Sequence, residues 1–353
     1  SRTSPASPNV FIFGIDSLSL PVFLENSGQL PNLWNLWNRS HRYENAHTPL
    51  ARTCPAWMSV LTGKPPVEHG AVFNLRQVHR TEQHDLLSID LKKDNYRTVF
   101  ALDERRFCQI GHDFGFDSVV GPELGVLDFV VQSMNDSPLT NLFLQSPRLA
   151  DWLKYSRHNV ASVANYSADG FSRSVLDAVN VGRGPVFAAV HFESAHFPYR
   201  SRHSGLDKHA EVDGYQRHLA ALKVVDAQVG VVLEGLRRSG KLDNALLVLL
   251  SDHGESFGQE MHIQRLNGER SVIRPYGHGA FLIEPDESHV LLAFTHFVNG
   301  QPEDEGSVSN DLVSLTDIRS GVNEFLRDGE ITPACVQACP SNAMAFGNVK
   351  DPE

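Results

Sequence analysis

Residues 225–258 read VDAQVGVVLEGLRRSGKLDNALLVLLSDHGESFG, and two kinds of pattern meet there. Leu219, Leu222, Val225, Val229, Val232, Leu233 and Leu236 recur at helical spacing, which predicts an amphipathic helix over 216–237. Arg237 and Arg238 suit its last turn, and Gly240 suits the stop beyond it. NALLVLLSD (244–252) then reads as a buried strand that ends in an acid and an imidazole. A helix feeding a buried strand is the repeating unit of a layered α/β fold.

The same alternation extends outward. NVFIFGID (9–16), YRTVFAL (96–102), GPVFAAVHF (184–192) and VLLAF (290–294) read as further strands. LPNLWNLWNRS (30–40) is amphipathic, with Leu30, Leu33, Leu36 and Trp37 on one face. Residues 103–165 are less regular and are expected to form a lid or a substrate-facing insert. No repeat is visible, and no linker splits the chain before residue 328. The organisation expected is therefore a linker over 1–8, a catalytic domain over 9–328 and a tail over 329–353.

Composition narrows the function. The 353 residues suffice for one large α/β domain or two smaller ones, and 41% apolar with 21% charged residues is ordinary for a globular protein. A net charge of −11 without a basic stripe argues against a nucleic-acid partner. No apolar run approaches the ~18–20 residues that span a bilayer. SRTSPASP lacks the features of a signal peptide and reads as a linker, as if trimmed from a longer parent. Four cysteines (Cys54, Cys108, Cys335 and Cys339) are too few for a disulfide scaffold. Seventeen histidines point to metal.

Ligands of α/β sheets collect beyond the carboxyl ends of strands. Those ends supply Asp16, then His191, Glu193 and His196 in HFESAHFPYR, then Asp252 and His253 in SDHGE; YGHG adds His278. Singly, each has an ordinary reading, since an Asp after a strand is most often a turn or cap and a lone His is usually structural. Together they make a carboxylate–carboxylate–imidazole set suited to zinc or another divalent ion, and the adjacent Asp252 and His253 can reach two neighbouring ions. His41, His47, His69, His203 and His262 are given no role. Thr53, in ARTCPAWMSVLTGKPPVEHG (51–70), has two readings. It is a cap of the helix that Pro55 opens, or a nucleophile at a helix end that favours a phosphate-like anion.

These residues carry a resemblance to the alkaline phosphatase superfamily, within it the sulfatase-like branch, over about 9–300. Its anchors are NVFIFGIDSL, RTCPAWMSVLTGKPPVEHG, HFESAHFPYR, the 225–258 block and YGHG. The resemblance implies a mixed central sheet sandwiched between helices, and a metal held by Asp16, Thr53, Asp252 and His253 with the nucleophile on the metal. Sulfatases use a Cys or Ser in C/S-x-P-S-R; here Thr53 stands two before Pro55, Cys54 is one place late and the Arg falls at Trp57. Threonine cannot become the formylglycine aldehyde, and threonine nucleophiles belong to phosphodiesterases and to the lipid phosphoethanolamine transferases of bacterial envelopes. The H-x4-H-x-P of the transferases resembles His191 and His196, and their SDHGES-x-G with a later HG resembles 251–258 with His278-Gly279. The gap 259–277 is longer than theirs, so His262 competes with His278, while PAW (55–57) looks more like the phosphodiesterases.

The expected function is metal-dependent phosphoryl-type transfer through a phospho-threonine at Thr53, onto water or an acceptor sugar. One or two ions, zinc first, are implied as cofactor. His196 and His278 hold the second ion or bind phosphate oxygens, His191 and Glu193 are weaker substrate-binding candidates, and Glu255 orients a ligand. The expected partner is a phosphoester or lipid head-group, with membrane association through a missing segment and an extracytoplasmic, periplasmic location like that of the relatives. Two rivals remain: a phosphodiesterase or phosphatase with water as acceptor, and a non-catalytic domain that binds lipid or a partner. The tail PACVQACPSNAMAFGNVKDPE (333–353) resembles the end of a ferredoxin-type motif, but Cys335 and Cys339 alone do not supply the four thiolates of a cluster.

Overall fold

The computed structural model describes residues 7–74, 85–105, 108–121, 166–199, 203–206, 212–258, 260–265, 268–273, 276–279, 285–303 and 305–329. Its strands are β1 (Asn9–Ile15), β2 (His41–His47), β3 (Arg97–Leu102), β4 (Ser118–Val120), β5 (Val186–Phe192), β6 (Asn244–Ser251), β7 (Ser256–Phe257), β8 (Glu260–Arg265), β9 (Gly268–Ile273), β10 (Tyr276–Gly277), β11 (Leu292–Val298), β12 (Gln301–Pro302) and β13 (Ser307–Ser314). Its helices are α1 (Leu20–Glu25), α2 (Pro31–Asn38), α3 (Thr53–Thr62), α4 (Pro66–His69), α5 (Leu87–Lys93), α6 (Ala168–Val179), α7 (Gly214–Arg238), α8 (Pro285–Ser288) and α9 (Ile318–Asp328).

Nine strands form one sheet in the order β13-β2-β11-β6-β1-β5-β3-β4, with β12 beside β11. β6, β1, β5, β3 and β4 pair in parallel, while β11 pairs antiparallel with both β6 and β2. The mixed central sheet expected from the resemblance is therefore present. Alternation sends Phe11, Phe13, Ile15, Leu247 and Leu249 to one face, where α1, α2, α6 and α7 cover them. Val10, Ile12, Leu246, Val248 and Leu250 face α3, α5 and α9 on the other. Burial on both faces explains why these strands read as unbroken apolar runs. Each such side chain contributes roughly 1.5–3 kcal/mol on leaving water.

The helix expected over 216–237 spans Gly214–Arg238, with Asp213 accepting the N–H of Gln216 at its start and left-handed Gly240 just beyond its end. Leu222, Val225, Val229, Val232 and Leu236 are buried, as their spacing predicted. The strand expected over 290–294 begins only at Leu292, because Val290 is drawn into an antiparallel bridge with Ser19. The long segment after SDHGES departs as the hairpin β8–β9 and returns through β10, which pairs antiparallel with β7. Gly277 comes back opposite Ser256, so His278 lands beside Glu255, while His262 pairs with Ser271 inside the hairpin. The lid expected over 103–165 falls largely on 122–165, and Cys335 and Cys339 of the tail on 330–353; both lie outside the described residues. Among the described residues, no helix is long and apolar enough to cross a membrane.

Candidate active site and metal centre

Register assembles the site. Ile15 pairs with Phe192 on one side and with Ser251 on the other, so the next residues, Asp16, Glu193 and Asp252, stand level at the carboxyl edge of three adjacent strands. All three are fully buried. His253 follows Asp252, and its N–H donates to Asp252 Oδ1 at 2.8 Å. The His253 Nδ1–H donates to its neighbour's carbonyl, Gly254 O, at 2.9 Å, which leaves Nε2 with its lone pair turned toward the carboxylates. That Nε2 is 3.4 Å from Asp252 Oδ2, 3.7 Å from Asp16 Oδ1 and 3.5 Å from Thr53 Oγ1.

Thr53 is the first residue of α3, not its cap. Arg52 occupies the N-cap with extended backbone and makes no capping hydrogen bond through its side chain. The Thr53 hydroxyl faces His253 instead, so the capping reading finds no bond to support it. The next amide is already engaged: Cys54 N–H donates to Asn74 Oδ1 at 3.1 Å, so that part of the helix end is not open to an anion. Arg52 lies over the Phe73 ring at 5.1 Å and reaches Gly279 O at 3.4 Å.

His191 stands on β5 opposite Gly14 of β1. A Cβ on Gly14 would lie 2.6 Å from the Trp57 ring and 2.8 Å from His191 Nδ1, so only glycine leaves room for both. Trp57 packs edge-on against His191 at 5.3 Å and against Phe100 at 5.6 Å. The position where sulfatases carry an arginine is thus a buried wall behind an imidazole. His191 Nε2 is 3.4 Å from Asp252 Oδ2, 3.5 Å from Glu193 Oε1 and 3.9 Å from Asp16 Oδ1.

On the opposite side, His278 lies on His253 with ring centroids 4.0 Å apart, and its Nδ1 is 3.3 Å from both Glu255 oxygens. His196 meets His278 edge to face at 5.8 Å, with Nδ1 2.7 Å from Phe197 O. Asp16, Thr53, His191, Glu193, His196, Asp252, His253 and His278 thus converge at one edge of the sheet. Strand β3 brings residues that the sequence reading missed. Asp103, just past Leu102, accepts the N–H of Glu193 at 2.8 Å and the hydroxyl of Tyr166, and Glu104 is buried beside it. Applying the strand-end rule to YRTVFAL would have found both. His218 of α7 is likewise buried, with Nε2 donating to Ser17 O at 2.8 Å.

Electrostatics ask for a cation. Burial, then the charges of Asp252 and Glu255, push the Asp16 carboxyl well above its usual range. Burial also raises Asp252, but His253 and His191 outweigh it and hold that carboxyl low. Glu193 is pushed well up by burial and then by Asp16, and Asp103 to about 6 by burial. Burial lowers His253 to about 4 against the pull of Asp252, and lowers His196 to about 4 with help from His278. His278 is raised despite burial, because Glu255 faces it.

Neither Asp16 oxygen has a hydrogen-bond partner among the described residues, nor does Asp252 Oδ2. Buried carboxylates left without donors are costly unless a cation meets them. Ligand atoms of Asp16, Asp252 and His253 lie within 4.8 Å of one another. Two oxygens and an imidazole nitrogen, with the Thr53 hydroxyl adjacent, fit a divalent ion of the zinc or manganese kind.

No functionally curated protein sequence matches the chain. Solved structures share its fold at low identity. Ps i-CgsB in complex with k-i-k-neocarrahexaose superposes with a TM-score of 0.63 at 17% identity, covering 92% of this chain and 73% of its own. The phosphonate monoester hydrolase of Agrobacterium radiobacter gives 0.62 at 16%, over 92% and 74%. The lipoteichoic acid synthase LtaP from Listeria monocytogenes gives 0.52 at 14%, over 93% and 74%. The Sulfatase family model matches residues 8–304, which takes in β1, Thr53, the HFESAH segment, SDHGE and His278, and on that match the chain belongs to the sulfatase family.

Proposed function

We propose that the chain transfers a phosphoryl-type group from a phosphoester through a covalent phospho-threonine on Thr53. The observation that carries this is the Thr53 hydroxyl, buried at the start of α3 and 3.5 Å from the Nε2 of His253, beside both Asp16 oxygens and Asp252 Oδ2, which have no donor among the described residues. A divalent ion held by Asp16, Asp252, His253 and Thr53 would lower the pKa of that hydroxyl and offset charge on the substrate oxygens. Thr53 Oγ gives up its proton to solvent water and bonds to phosphorus, while the bond from phosphorus to the leaving oxygen breaks. His278, held by Glu255 on the open side of the site, supplies the proton that the leaving oxygen takes, and His196 beside it binds a phosphate oxygen. Attack by water or an acceptor hydroxyl then releases Thr53.

Formylglycine chemistry is disfavoured, because the side chain facing His253 is a threonine and neighbouring Cys54 is buried among apolar residues. Phosphoethanolamine-type donors on envelope lipids suit the exposed Phe197 and Phe73, which flank His196 and Arg52. This reading places the protein on the periplasmic side of the envelope as part of a membrane-anchored parent. The phosphonate monoester hydrolase and LtaP, similar in fold, lend it general support. The test is turnover of p-nitrophenyl phosphodiester by the zinc-loaded chain, with intact-mass detection of a phosphorylated protein. Thr53→Ala is expected to abolish both. Undiminished turnover by Thr53→Ala would overturn the mechanism, and acceptor-dependent product would separate a transferase from a hydrolase.

A further inference from the structure

We propose that Glu287 is the positioning residue of His278, holding through the backbone of Gly279 the imidazole that stands on the open side of the site. Glu287 belongs to the short helix α8 and is 1% exposed. Its Oε2 accepts the N–H of Gly279 at 2.7 Å, and its carbonyl accepts the N–H of Gly254 at 2.8 Å. Gly279 follows His278, while Gly254 lies between His253 and Glu255. One residue therefore holds the chain beside both rings of the stacked pair, whose centroids are 4.0 Å apart. The other holds on His278 are longer. β10, which delivers it, has two residues; its ring is 3.3 Å from the Glu255 oxygens, and Arg52 reaches Gly279 O at 3.4 Å. A carboxylate acceptor also makes a hydrogen bond roughly twice as strong as a neutral one.

A bracket works only if it is itself fixed, and α8 is. Thr48 N–H donates to Ser288 O at 2.9 Å, and Val290 N–H donates to Ala46 O at 3.0 Å, which ties the turn to the end of β2. Leu20 N–H donates to His289 O at 2.9 Å, which ties it to the start of α1. Gly254 permits the close approach, because a Cβ there would lie 1.9 Å from Asp286 O and 2.8 Å from Ser19 Cβ. Burying a carboxylate is costly unless donors meet it, and Glu287 meets a main-chain N–H next to the imidazole of His278. A reacting group displaced by about 1 Å can lose about 10²-fold in rate, so a hold of this kind acts on turnover rather than on binding.

The inference rests on the proton-donor role given to His278 above, and two readouts keep the two apart. In the metal-free full chain, labelled on its histidine ring carbons, His278→Asn assigns the His278 signals by magnetic resonance. Glu287→Ala is expected to move them, because the ring leaves the shielding face of His253. Glu287→Gln, whose amide oxygen still accepts the Gly279 N–H, is expected to keep them near wild type. In the zinc-loaded chain, Glu287→Ala is expected to lower kcat for an alkyl phosphodiester about 10²-fold with KM little changed, and Glu287→Gln to recover most of that loss. In a His278→Asn background Glu287→Ala should cost nothing more, since a residue that acts through His278 has nothing left to place. Unmoved His278 signals in Glu287→Ala, or an undiminished further loss in the His278→Asn background, overturns the proposal. If Glu287→Ala fails to fold, Glu287→Asp, which withdraws the carboxylate by a methylene, is held to the same outcomes. Turnover indifferent to Thr53→Ala would remove the proposed function, and the ring signals would then decide the positioning by themselves.

Discussion

His278 acts through its neighbours. Stacked on His253 and faced by Glu255, it keeps a raised proton affinity at the open side of the site. A proton donor matters most for a leaving group that departs poorly as an anion. His278→Ala should therefore reduce kcat/KM for an alkyl phosphodiester on the order of 10²–10⁴-fold, and far less for a p-nitrophenyl ester. Equal losses on both would mean that His278 binds phosphate without protonating the leaving oxygen. Thr53 shows how far one position could be read without coordinates. Its residue type and its place near a helix start were legible, but whether the hydroxyl capped the helix or faced a histidine 200 residues away was not. That depends on which strands are neighbours, and spacing along a chain does not carry strand order.

At the scale of elements, β1 is the axis of the site, and Gly14 is where it passes too close to Trp57 and His191 to carry a side chain. Gly14→Ala puts a methyl group into Trp57 and His191. We expect a loss of about 1–3 kcal/mol, read as a lower urea midpoint, as for other overpacked cores. A midpoint within error of wild type would mean that Trp57 yields freely. The strands themselves were readable because two-sided burial writes continuous apolar runs, and α7 because its buried stripe keeps the helical period. Asp103 and Glu104 were legible as strand-end acids, but their contact with Glu193 was not. Their importance comes from β3 lying beside β5, a pairing between segments far apart in sequence. The His262–His278 ambiguity also had a topological answer, since the intervening residues fold as a hairpin and return the chain to β7.

For the whole molecule, the buried charges set how stability follows pH. Asp16 and Glu193 have raised carboxyl pKa values, so the folded metal-free protein holds protons that the unfolded chain releases. Their contribution is present below the unfolded carboxylate pKa and is lost as pH rises. His253, His196 and His218, lowered to about 4, work oppositely, but above about pH 7 they are neutral in both states and drop out. His278, raised by Glu255, adds to the loss as pH rises. The raised His278 carries the sign above about pH 7, and any proton still held by Asp16 and Glu193 adds to it, so the metal-free chain should melt at a lower temperature at about pH 8.5 than at about pH 7, by more than the metal-loaded chain, whose carboxylates are already ionised. Parallel calorimetry of both forms reads this, and identical pH profiles would refute it.

The central place of β1 has a further consequence, for synthesis. Val10 pairs with Phe187 on one side and Leu246 on the other. Both partners leave the ribosome long after β1 does. At about 5–20 residues per second, NVFIFGI waits on the order of ten seconds or more with two apolar faces and two open edges. The strand that anchors the finished site is thus exposed to misassociation on the nascent chain, and a holdase that grips this segment would govern the yield of folded protein without touching the site.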